Sequence, residues 1–100
     1  MVKHIIVWTL KEMPEAERKN VMTAIKTGLE GLKGRISGLV DIKVITEGRL
    51  DTSNADLMLD STFESFEALK GYTVHPEHVE VATTKVRPFV SNRACLDFEV

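Results

Sequence analysis

The stretch Val2-Lys3-His4-Ile5-Ile6-Val7-Trp8-Thr9-Leu10-Lys11 carries the argument for the fold. Apolar β-branched and aromatic residues dominate it and no turn residue interrupts it, which is the composition of a strand. Side chains alternate between the faces of a strand. Val2, His4, Ile6, Trp8 and Leu10 therefore lie on one side, and Lys3, Ile5, Val7, Thr9 and Lys11 on the other. Both sides hold large apolar groups in their middle, so the strand is expected to be covered on both faces.

Outward from this strand, Pro14 is placed to be the first residue of a helix, with Glu15 and Glu17 near the positive end of its dipole. Val21, Ile25, Leu29 and Leu32 repeat at helical spacing, and Gly34 is the expected stop. Val40, Ile42 and Val44 alternate with polar residues as a second strand. A polar loop, residues 46–54, leads to a third strand, Ala55–Phe63, with Leu57, Leu59, Ser61 and Phe63 on one face. Ser65 caps a short helix carrying Phe66, Leu69 and Tyr72, and His75-Pro76 breaks it. Pro76 restarts a helix whose stripe is Val79, Ala82 and Val86, ending at Pro88. Asn92–Val100 closes the chain as a strand.

The order is β-α-β followed by β-α-β. Two right-handed halves of that kind interleave into one antiparallel four-stranded sheet with both helical segments on one face, an α+β, ferredoxin-like arrangement. The other face is left bare, and Ile5, Val7, Ile45 and Met58 on it predict an association surface, most simply a homodimer.

Composition bounds the function. One hundred residues with 43% hydrophobic content suit one domain, residues 1–100, with one core. Thirteen basic against 15 acidic residues, net charge −2, give no electrostatic case for nucleic acid or an anionic membrane. The longest apolar run, Ile5 to Trp8, is far below the ~20 residues of a membrane span. No signal peptide is read at the N-terminus, so a cytoplasmic location is expected. A single cysteine, Cys95, excludes an intramolecular disulfide framework.

Three histidines and one tyrosine carry the chemistry. His4 lies on the strand face turned to the helices, and Tyr72, His75 and His78 gather at the helix break. If the helical layer packs over the first strand, they converge at one end of an apolar space, the usual form of a small-molecule site. His78 sits in the first turn of the restarted helix, where unpaired amides and burial both disfavour an imidazolium. It is then a neutral proton acceptor, and Tyr72 a protonated donor to a developing oxyanion. The same groups at a helix break also suit the plainer role of satisfying buried backbone. His75-x-x-His78 has ligand spacing but straddles the proline and lacks a third ligand, so no metal site is expected. Cys95 has no activating histidine visible in the sequence. Ser61 and Ser65 lack a nucleophile elbow, and Gly28, Gly31 and Gly34 fall at a helix end instead of forming a phosphate loop.

Val2-Lys3-His4-Ile5, Ser61-Thr62-Phe63-Glu64-Ser65, Tyr72-Thr73-Val74-His75-Pro76-Glu77-His78 and Leu96-Asp97-Phe98-Glu99 together resemble the stress-responsive A/B barrel (Dabb) family of the dimeric α+β barrel superfamily. The resemblance spans essentially the whole chain. It implies a homodimer whose two sheets share a barrel, and a pocket between sheet and helices in each subunit. A plant member of the family closes linear polyketides by aldol condensation without a cofactor. In that scheme a histidine at the position of His78 is the base, a tyrosine at Tyr72 binds and polarises the substrate, and His4 matches a further pocket histidine. Ile6, Trp8, Leu57, Leu59 and His75 complete the expected substrate-binding set. Leu57 stands where the plant enzyme has another histidine, and Trp8 adds bulk to the lining. The resemblance also implies a cation held by backbone oxygens around Lys33, Ile36 and Leu39, although no carboxylate cluster accompanies them.

The expected function is a cofactor-free acid–base enzyme, cyclase-like, acting on a small apolar carbonyl compound. The alternative is a non-catalytic ligand-binding or stress-protective homodimer. A third reading, a haem or quinol monooxygenase of the same superfamily, has only the histidines and Trp8 behind it.

Overall fold

In the computed structural model, which describes residues 1–100, the first strand β1 (Val2–Leu10) lies inside a four-stranded sheet. Its neighbours are β3 (Leu57–Phe63) and β4 (Val90–Glu99), and β2 (Leu39–Ile45) forms the far edge beyond β3. All three pairings are antiparallel. Helices α1 (Glu15–Glu30), α2 (Phe66–Val74) and α3 (Pro76–Val81) cover one face. This is the ferredoxin-like βαββαβ order that two βαβ halves imply.

β1 shows the expected alternation: Val2, His4, Ile6, Trp8 and Leu10 are buried under the helices, while Lys3, Ile5, Val7 and Thr9 are half-buried. The register decides what accompanies them. His4 lies between Ser61 and Asp97, Ile6 between Leu59 and Cys95, and Trp8 between Leu57 and Arg93. Arg93, Cys95 and Asp97 thus share the helix-facing side, and Ala94, Leu96 and Phe98 join Ile5, Val7 and Met58 on the bare side. The helical layer does not reach β4, and residues 91–100 are all exposed.

α1 buries Val21, Ile25 and Leu29 against the sheet. Each contributes roughly 1.5–3 kcal/mol of transfer free energy. Pro14 caps this helix rather than beginning it, and the helix ends at Glu30, before the expected Gly34. Leu32 stays buried in the turns that follow. Gly28, unfavourable inside a helix, is there for space: a Cβ would stand 3.0 Å from Val81 Cγ1. Gly38 is required twice, by φ of +84° and because a Cβ would lie 2.4 Å from the Ala68 Cβ.

The two edges of the sheet are finished differently. At β2, Lys26 Nζ donates to the Val44 carbonyl at 2.8 Å and Glu30 accepts the Val44 amide at 2.9 Å, the two side chains pairing at 2.8 Å. Burial raises the Glu30 pKa, but Lys26 and the Val44 amide outweigh it and hold the carboxyl below its usual value. Both backbone groups of Val44 on this edge are thus occupied, which blunts it against strand addition. β4 has no such cover.

The second helical region departs from a single restarted helix. Ser65 caps α2 by accepting the Ala68 amide at 3.1 Å, and α3 starts with Pro76 as expected. After Val81 the backbone widens into a π-helical turn, Ala82–Val86, and tightens into a 3₁₀ turn, Arg87–Phe89. Val79, expected in the stripe, is exposed, and Val81 packs against the core in its place. Ala82 and Val86 are buried.

Candidate active site

Between β1 and this second helical region lies a cavity of about 540 Å³. His4, Ile6 and Trp8 of β1 and Leu59 of β3 form its floor. Tyr72, Thr73, His78, Ala82 and Val86 form its roof, with Leu29 of α1 at the side. The π turn matters here: an extra residue in a turn rotates the following side chains, and Ala82 and Val86 both line the cavity.

Six of the residues expected to form the site, His4, Ile6, Trp8, Leu59, Tyr72 and His78, meet at this cavity. Two do not. His75 ends α2 and caps α3, its Nδ1 accepting the Glu77 amide at 3.1 Å. Leu57 is buried beside Trp8 and meets the loop of residues 45–56. Sequence reading missed Leu29, Thr73, Ala82, Val86, Arg87 and the run 90–93. The register of β4 against β1 is the signal that would have found Arg93.

The Tyr72 ring packs on His78, centroids 4.1 Å apart and planes 34° apart. Tyr72 also meets Phe63 at 4.9 Å and His4 at 6.1 Å, the latter edge-on. Its hydroxyl is buried without a hydrogen-bond partner, and so is His78 Nδ1. Burial pushes the Tyr72 pKa far up, so the phenol stays a donor at any ordinary pH. Burial lowers the His78 pKa, the Thr73 backbone opposes this, and the charges of His4, Arg87 and Arg93 lower it further. The imidazole is therefore neutral at pH 7.

His4 is anchored from both sides. Its Nδ1 meets Asp97 Oδ1 at 2.5 Å, and Ser61 Oγ donates to its carbonyl at 2.8 Å. A carboxylate on Nδ1 fixes the ring and leaves Nε2 for the cavity. Cys95 Sγ lies 3.8 Å from His4 Nδ1, a proximity the sequence did not show. The thiol is nevertheless not activated: burial and the Asp97 carboxylate raise its pKa. His4, Cys95 and Asp97 place ligand atoms within 4.8 Å of one another and are the residues that could hold a metal ion, with the protonated thiol opposing it. After α1, the Ile36 carbonyl accepts the Leu39 amide at 3.2 Å and the Lys33 ammonium pairs with Asp41 at 2.9 Å.

Such a site can take a proton from carbon and support the oxygen that becomes negative. A family model described as Stress Responsive A/B Barrel Domain (Dabb) matches residues 2–100. A dimeric protein of unknown function and ferredoxin-like fold from Bacteroides fragilis is 31% identical, with a TM-score of 0.91 over 99% of this chain and 95% of its own. The Arabidopsis thaliana protein At3g17210 is 21% identical, TM-score 0.76, over 100% of this chain and 95% of its own. A hydroxynitrile lyase from Passiflora edulis is 15% identical, TM-score 0.73, over 99% and 92%. A search of curated protein sequences finds no match.

Proposed function

We propose a reaction for a chain that belongs, through its residues 2–100, to the stress-responsive A/B barrel family: cofactor-independent acid–base catalysis on a small, mostly apolar carbonyl compound. One observation carries the reading. A neutral histidine and a protonated tyrosine are stacked in one cavity, each with a buried polar atom that no protein group satisfies. Buried polar atoms are nearly always paired. Both residues also line the cavity, so a ligand that shifts the rings on entering would supply the partner that the fold leaves out. A hydroxynitrile lyase on the same fold is in keeping with carbonyl chemistry in such a space.

His78 removes a proton alpha to the carbonyl, and Tyr72 donates to the oxygen as the enolate forms. Base catalysis of this kind gives roughly 10²–10⁴-fold, and one preorganised oxyanion donor about 10²–10³-fold. His4, held by Asp97, orients the substrate. In the cyclase-like version the enolate carbon attacks a second carbonyl of the same molecule. One C–C bond forms, and the proton on His78 passes to the new alkoxide. Ile5, Val7, Met58, Leu96 and Phe98 on the bare sheet face meet a second copy of the chain, making a homodimeric barrel.

The test is turnover of linear poly-β-ketones, followed by product mass. His78→Gln and Tyr72→Phe are expected to lose at least 100-fold while the dimer stays folded. Turnover undiminished in both variants removes the mechanism. Ligand-dependent thermal stabilisation without any conversion marks a binding dimer instead.

A further inference from the structure

The cavity mouth carries a feature that proton abstraction does not use. Of the five arginines, Arg18, Arg35 and Arg49 are each paired with a carboxylate, and Arg87 and Arg93 are not. Both unpaired arginines line the cavity, Arg87 from the 3₁₀ turn and Arg93 from β4 beside Trp8. No aspartate or glutamate lines it with them. The nearest carboxylate along that face of β4, Asp97, is engaged by His4. In a chain whose net charge is −2, two arginines thus border one opening with no carboxylate paired to either.

We propose that Arg87 and Arg93 form an anion-recognition site, and that the natural ligand is a carboxylate with an apolar body. The body lies along Ile6, Trp8 and Val86, and the carboxylate meets the guanidiniums at the mouth, where a planar fork matches two oxygens. Where the acid–base reading also holds, the substrate is an oxo acid, and the two cations help to carry the negative charge of the enolate. Both arginines line the same cavity as His78.

The probe is octanoate against its uncharged methyl ester, titrated with the intact protein. Trp8 is the sole tryptophan and lines the cavity, so its fluorescence reports occupancy directly. Octanoate is expected to bind at least tenfold more tightly than methyl octanoate and to weaken with added salt. Arg87→Gln and Arg93→Gln should each weaken octanoate about tenfold and leave the ester unchanged. Equal affinity for acid and ester, no response to either ligand, or octanoate affinity unaltered in both variants overturns the proposal. Octanoate has no alpha carbonyl chemistry to undergo, so this result stands apart from turnover. Loss of activity in His78→Gln without a preference for octanoate would sink the anion site alone. A preference for octanoate with His78→Gln fully active would sink the acid–base reading alone.

Discussion

At Tyr72 and His78, stability and activity pull in different directions. The Tyr72 hydroxyl is buried and unpaired, so it contributes nothing to folding that phenylalanine would not. Tyr72→Phe is expected to leave the unfolding free energy unchanged or raise it by up to about 1 kcal/mol, measured by urea unfolding, while turnover collapses. A merely structural tyrosine would show the reverse. His78 gives a pH signature. Its pKa in the folded chain lies below the usual imidazole value of about 6.5, through burial first. As pH falls below about 6.5 the unfolded chain takes up a proton that folded His78 refuses, so stability declines until the folded value is reached. Thermal melts from pH 7.5 to 5 should show this decline in the wild type and a shallower one in His78→Gln. For the same reason activity persists below pH 6.5 before the base is lost. The identities of these two groups were legible in the sequence, because a His-Pro break fixes where a helix stops and restarts. The misreading of His75 has the same origin: the break needs a cap, and His75 supplies it. Proximity in sequence did not mean a shared cavity.

The elements were legible where periodicity is strong and lost where local geometry departs from it. β1 and α1 followed from alternation and from apolar spacing, with ends shifted by a few residues. The π turn at Ala82–Val86 escapes a reading by periodicity; there the Thr83 and Thr84 hydroxyls donate to the Val79 and Glu80 carbonyls at 2.6 and 2.7 Å, competing with the backbone ladder. The edge strand β4 was read correctly as a strand, but which of its faces met the helices depended on register, and so Arg93 and Asp97 were missed as neighbours of the site. The turn glycines give an element-scale prediction. Gly34 and Gly38 both have φ near +84°, but only Gly38 has a neighbour where a Cβ would stand. Gly34→Ala should cost about 1–2 kcal/mol from backbone strain alone. Gly38→Ala adds overpacking against Ala68 and should cost about 2–4 kcal/mol. Paired denaturant curves distinguish the two.

At the scale of the whole molecule the bare sheet face is where the proposed homodimer would form. Ile5, Val7, Met58, Leu96 and Phe98 are brought side by side by the register, and the Lys3–Asp60 pair at 2.5 Å, with Lys43 and Asp41 of β2 beside it, forms a polar margin on that face. Val7→Asp and Leu96→Lys should each convert the protein to monomers in sedimentation velocity, with the cavity residues unchanged. The family's fold was legible from element order alone, whereas the partner of that face is a property of surface area and shape that no periodicity encodes. The sheet's two borders have a further consequence. The β2 border is locked by Lys26 and Glu30, but the strand that carries Arg93 is held along one side only and lies beyond the helices. One flank of the reaction chamber is therefore a strand that no helix of its own subunit clamps. A guest seated against residues 90–93 should slow hydrogen–deuterium exchange along that whole strand, well past the residues it touches.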